Sequence, residues 1–344
     1  VYEGMLYIKN NEYSKLNLEQ KKVIDDSIKS FEVAGVDLPA DKQARLKEIA
    51  TISAKLSTDF SNNLIAANKL NKIKITDEKL LGEMPESDKA SARVEGGWEF
   101  SLLAPSYISF MKYVTDAKLR EQMYKNYATR APENEDIIPQ IHALAQESAK
   151  ILGYKNSAEL TFEFRDAPSP AAAEKYLSEI ASIAKPVAIR EFEELEEFAG
   201  KKLQPWDTAF YARLLQKEKY SVDETETKPY FEMNATIDGT MDMISEMFDI
   251  KFRERSANIW HDDVKYFDVI RDGKTIAGIY LDLQTRETKR GGAWANEFSK
   301  HYIDANNQEH LAEGVVAANF PVAKDGNPSL LSINEVNTLL HEMG

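Results

Sequence analysis

The residues best able to do chemistry stand at the end of the sequence: His341-Glu342-Met343-Gly344. On a helix, a His-Glu pair is the first half of H-E-x-x-H. In that pattern two histidines at i and i+4 share a face and grip one metal ion, while the glutamate acts as base. The second histidine would fall one residue after Gly344. Taken alone, such a pair near a helix end reads as a plain polar face beside the apolar stripe of Val336, Leu339, Leu340 and Met343. The elements before it decide between the two readings.

Those elements are legible. Ser332-Ile-Asn-Glu335 is a capping box, Ser at the N-cap and Glu three residues on, so a helix starts there. His341-Glu342 then lies about two and a half turns into it. Upstream, Val264–Ile270 and Thr275–Leu283 are β-rich and flank Asp272-Gly273, a strong hairpin signal. Gly314–Phe320 is a third β-like stretch, followed by a turn at Asn327-Pro328. Its Val315–Phe320 part reads either as a substrate-pairing edge strand or as an interior strand. On the edge reading, Ala317, Ala318 and Asn319 are candidate substrate-binding residues. Hairpin, edge-type strand, turn and capped His-Glu helix is an order in which metal-dependent peptidases build their sites.

The first two thirds read as helices. Apolar residues at three- and four-residue steps predict helices over 17–34, stopped by Gly35, and over 41–68. Short extended pieces follow at 72–75 and 98–103. Asp116 opens a helix to about 128, Asp136 another to 152, and Ser169-Pro170 a long one to about 199. The acid-rich turn at Glu191, Glu193, Glu194, Glu196 and Glu197 is a solvated face. The change of texture divides the chain into a helical lobe, 1–215, and part of a catalytic lobe, 216–344.

Composition removes several classes. The 344 residues are 43% hydrophobic, 10% aromatic and 29% charged, as in a folded globular protein. A net charge of −14 disfavours nucleic acid and anionic membranes as partners. With no cysteine there is no disulfide, thiol catalysis or Cys-ligated metal; a cytoplasmic location fits, and a periplasm is also compatible. No apolar run approaches the ~18–20 residues of a membrane span. No Gly-x-Ser-x-Gly frame suggests a serine hydrolase, and Gly291-Gly292 lacks the context of a phosphate loop. His261 reads as structural, and His142, His301 and His310 as surface or packed residues. The start at Val1 without Met, and the end inside a half-motif, read as a fragment with both flanks missing.

Several segments resemble the thimet oligopeptidase and oligopeptidase A family of zinc metallopeptidases, the bacterial oligopeptidase A branch most of all. They are Gly278-Ile-Tyr-Leu-Asp-Leu283 with Lys289-Arg-Gly-Gly-Ala-Trp294, Ile259-Trp-His-Asp-Asp-Val-Lys-Tyr-Phe267, Gln204-Pro-Trp-Asp207 with Phe210-Tyr211, Arg45-Leu-Lys-Glu-Ile49 with Leu56-Ser-Thr-Asp-Phe-Ser61, and Ala317-Ala-Asn-Phe320 before Glu335–Gly344. They keep the family's order along nearly the whole chain. The resemblance implies a mainly α, two-lobed fold around a deep channel, with a small β-sheet next to the zinc helix. It implies cleavage of internal peptide bonds in short oligopeptides and one Zn²⁺ per intact site. His341 would be the first zinc ligand, and Glu342 the general base acting on the metal-activated water. The further ligands and the groups that stabilise the tetrahedral intermediate would lie beyond Gly344, so the 344-residue chain alone would be inactive unless a second chain supplies the remainder. The intact protein would be a monomer. The alternatives are a dipeptidyl carboxypeptidase of the same family and a non-catalytic helical peptide-binding fragment.

Overall fold

In a computed structural model, which describes every residue except 222 and 325, the chain is mainly α with three small sheets. Side-chain caps set several of the helix starts, though Asp136, expected to open Ile137–Ile151, makes no cap hydrogen bond. Asn17 and Gln20 form a capping box for Leu18–Val33, the Asp116 carboxylate accepts from Lys118 N and Leu119 N, and Ser169 Oγ accepts from Ala172 N below Pro170–Ala199. Gly35, at φ +77°, ends the first of these in the left-handed region.

Two compact units emerge. One comprises Val1–Asn63 with Ala131–Glu191, the other Leu64–Arg130 with Phe192–Gly344. The chain therefore passes between units more than once, which a single division at 215 does not. The first unit is helical and carries the bidentate pair of Arg45 with Glu147, at 2.6 and 2.8 Å.

The second unit has two cores. In one, a three-stranded antiparallel sheet (Ile73–Ile75, Gly97–Phe100, Arg93–Val94) packs on helices Ala104–Tyr113 and Ala117–Ala128, with Phe100 edge-on to Phe110 at 5.1 Å. The Pro-Trp-Asp segment locks this core. Asp207 is buried and bonded by Arg120 Nη2 at 2.6 Å and Lys201 Nζ at 2.9 Å. Arg120, itself buried, also donates to the carbonyls of Val114, Thr115 and Trp206. A buried charge is tolerated when its donors are used in this way.

The other core positions the candidate site. A five-stranded sheet runs in the order Lys251–Glu254, Lys265–Arg271, Lys274–Gln284, Ala312–Phe320, Trp294–Ser299. The Asp272-Gly273 hairpin forms as expected, both residues at positive φ. Alternation sends Phe267, Leu281, Leu283, Val316, Ala318 and Phe320 to one face, under helices Met233–Phe248 and Ile333–Met343. The opposite face carries Tyr266, Tyr280 and Asp282.

Candidate active site

The helix Ile333–Met343 begins at the capping box read from sequence. Glu335 N donates to Ser332 Oγ at 3.3 Å, and Ser332 N donates to Glu335 Oε2 at 2.7 Å. Leu339 is buried, and Val336 and Met343 pack on the core beside it. At 100° per residue, His341 sits about 140° round from Val336. It is exposed in the last turn, with Glu342 half-buried next to it. The helix packs over strands Ala312–Phe320 and Trp294–Ser299, so the His-Glu pair is carried beside the sheet, as expected.

The edge is elsewhere than Val315–Phe320. Strand Ala312–Phe320 is interior: it pairs parallel with Lys274–Gln284 and antiparallel with Trp294–Ser299. Ala317 faces Asp282 on one side and Trp294 on the other, and is 1% exposed; Ala318 is as buried. The free edge on this side of the sheet is Trp294–Ser299, exposed along most of its length, with Lys251–Glu254 at the far side. Asn319 Nδ2 donates to the carbonyls of Arg290 (2.9 Å) and Gly292 (2.7 Å), pinning the loop that leads into that edge. The sequence signal was available in Lys289-Arg-Gly-Gly-Ala-Trp294, but nothing in it says that the strand after it lies outermost.

The same loop is fixed from the sheet by a buried hub that sequence reading passed over. Asp282 accepts from Arg286 Nη1 and Nη2 (2.7 and 2.8 Å), Lys289 Nζ (2.8 Å) and Trp260 Nε1 (3.0 Å). Lys289 spends its other donors on the carbonyls of Asp282 (2.6 Å) and Gln284 (3.0 Å). Burial works against ionisation of Asp282, but the Arg286, Lys289 and Trp260 donors outweigh it and hold the carboxyl well below the usual range. Burial lowers the Lys289 ammonium, with Asp282 opposing. Trp260 then lies on Tyr280 and Phe298, ring centroids 5.3 and 6.0 Å away, giving the sheet an aromatic surface next to the free edge. His261 is exposed with its Nδ1 3.3 Å from Asp263, a surface contact. His301 and His310 likewise pair with Glu309 and Asp304, and His142 is exposed.

A family model for peptidase family M3 matches residues 110–344. The chain belongs to peptidase family M3. Among M3-related proteins, oligopeptidase A of Escherichia coli is 33% identical across 96% of this chain and 52% of its own length. Oligopeptidase A of Haemophilus influenzae is 35% identical across 100% and 54%. The chain spans about half the length of the curated relatives it matches. The solved structure of PZ peptidase A with inhibitor 2 superposes with a TM-score of 0.51 at 16% identity, covering 99% of this chain and 48% of that one; the likeness is one of fold. Among the described residues no helix is long and apolar enough to cross a membrane.

The donor chemistry at the M3 helix fits zinc in part. His341 offers an exposed imidazole, and zinc accepts imidazole nitrogen readily. Among the described residues no group of three or more His, Asp or Glu side chains is arranged to hold a metal, and a catalytic zinc takes three protein ligands.

Proposed function

We propose that this chain carries the metal helix and the substrate edge of a zinc-dependent endopeptidase that hydrolyses internal bonds of short oligopeptides. The observation that carries the reading is the capped helix Ile333–Met343, with His341 and Glu342 in its last turn, packed over a sheet whose free edge, Trp294–Ser299, is next to it. Membership of peptidase family M3 supports it. An extended peptide would add as a further strand to Trp294–Ser299, its main-chain groups bonding to the free edge. Ala317, in the adjacent strand, pairs with Trp294 of that edge, Ala318 is buried next to it, and Asn319 holds the 290–292 loop beside it. Glu342 takes a proton from the attacking water and returns it to the leaving amine. His341 contributes one imidazole ligand. Zinc, when bound, would polarise the scissile carbonyl and acidify its water toward a pKa of ~7. We place this activity in cytoplasmic peptide turnover by a monomeric intact protein.

The test uses the intact protein in which this chain lies. Glu342→Gln removes cleavage of a quenched fluorogenic peptide while zinc, measured by plasma mass spectrometry, stays bound. His341→Ala lowers the zinc content itself. Full activity in Glu342→Gln overturns the assignment of the base. A substrate with an amidated C-terminus is cut by an endopeptidase and spared by a dipeptidyl carboxypeptidase. With a single imidazole ligand, the 344-residue chain alone takes up zinc weakly and cleaves nothing.

A further inference from the structure

Within the second unit a cavity of about 420 Å³ opens against the first turn of the helix that ends in His341-Glu342. Glu335 lines it about 9 Å along the helix axis from His341, at 1.5 Å per residue. One wall is apolar, from Phe100, Ile108, Pro321 and Val322. Volume, apolar wall and a few convergent polar groups are the ordinary features of a small-molecule site.

The polar groups define the ligand. Of the charged side chains that line the cavity, Asp88 and Lys228 pair with each other at 2.9 Å, Glu99 pairs with Lys72 at 3.1 Å, and Lys112 has an interaction of its own. Glu335 is the exception. Both Ser332 donors go to Oε2, at 2.7 and 2.9 Å, and among the described residues no hydrogen bond or ion pair reaches Oε1, the Lys228 ammonium acting on the carboxyl only through its charge. Burial pushes this carboxyl above the usual range, the Ser332 bonds opposing. The Thr285 hydroxyl also lines the cavity and is buried with no partner. A buried polar group without a partner costs about 1–3 kcal/mol, which applies to the Thr285 hydroxyl; Glu335, half-buried, lines the same cavity.

We propose that this cavity is a second binding site, for a primary ammonium on an apolar body, with Glu335 as its counter-ion and the Thr285 hydroxyl as a further acceptor. The ammonium supplies the donors that both oxygens lack, and the body covers Phe100, Ile108 and Val322. A peptide N-terminus or a free arylalkylamine offers this chemistry. The site stands independently of the reading of His341 and Glu342.

The 344-residue chain is titrated calorimetrically with phenylalanine amide and with 3-phenylpropanamide, which keeps the body and lacks the ammonium. Phenylalanine amide binds one per chain, and the neutral probe roughly tenfold or more weaker, the worth of one charge-assisted bond. Glu335→Gln keeps the capping-box acceptor and weakens phenylalanine amide by roughly the same factor, leaving the neutral probe unchanged. Thr285→Val weakens it a few-fold. Binding of Phe-Gly-Gly-amide as well assigns the site to peptide N-termini; binding of phenylalanine amide alone assigns it to free amines. Equal affinity for charged and neutral probes, no saturable binding, or unchanged affinity in a Glu335→Gln protein of unchanged helicity overturns the proposal.

Discussion

Replacing Asp282 with Asn tests whether the buried hub holds the 286–289 loop that leads to the Trp294–Ser299 edge. The carboxylate accepts four hydrogen bonds, two from Arg286 and one each from Lys289 and Trp260. Asn offers one acceptor oxygen and presents an NH₂ where the other was, so at least one donor is left facing a donor. It also leaves the buried Lys289 ammonium without its counter-ion. Removing one partner of a buried pair costs about 3–5 kcal/mol. Arg286 is 17% exposed and stays partly hydrated, which favours the lower end, about 3 kcal/mol. For a unit of this size each kcal/mol lowers Tm by about 2–4 °C, so a fall of ~6–12 °C is expected in a thermal scan followed by near-UV circular dichroism. Adding Lys289→Met removes the orphaned cation and recovers part of the loss. The linkage has a definite sign. The folded carboxyl titrates below its unfolded value of ~3.9, so the hub contributes its stability above that pH and loses it as pH falls. The gap between wild type and Asp282→Asn therefore narrows from pH 6 towards pH 2. A loss within ~0.5 kcal/mol, the scale of a surface change, or a gap that widens in acid, refutes the account.

Arg120→Met takes from Asp207 one of its two cationic donors, Lys201 remaining, and removes the donor of three carbonyls, so it lowers stability in urea unfolding by about 3 kcal/mol, the lower end for a broken buried pair. Glu335→Gln acts through pH. The folded carboxyl is raised, so its stability is fully present below the unfolded pKa of ~4.3 and is lost as pH rises through the folded value. The variant escapes that loss and is more stable than wild type at pH 7 but not at pH 4; equal stability difference at both pH values contradicts this. Gly278→Ala places a Cβ 1.9 Å from Tyr266 Oη, forcing that phenol off Glu313. Burial and the Glu313 bond push the phenol up to about 12, so an ultraviolet titration of the variant shows one tyrosine moving back towards 10, with about 1–3 kcal/mol of stability lost.

The helix starts at Asn17, Asp116, Ser169 and Ser332, and the turn at Asp272-Gly273, are written locally. Each depends on a side chain reaching a backbone group a few residues away, or on a backbone conformation that only certain residues accept. The position of His341 and Glu342 in the last turn of a capped helix follows from those local signals, and the ordered segments from residue 45 onward carried the family. Strand order is of another kind. Alternation tells which face of Ala312–Phe320 is buried but not which strands flank it. Trp294–Ser299, which lies in sequence between the mutually parallel strands Lys274–Gln284 and Ala312–Phe320, is placed outside both of them in space. Only the folded chain therefore moved the free edge from Val315–Phe320 to Trp294–Ser299. Asp282, likewise, is one acidic residue among many until the tertiary fold brings Trp260, Arg286 and Lys289 onto its two oxygens. Short-range bonding belongs to the sequence; which distant groups share a dry interior is settled by packing, because burial is a property of the whole assembly of elements and of no residue alone.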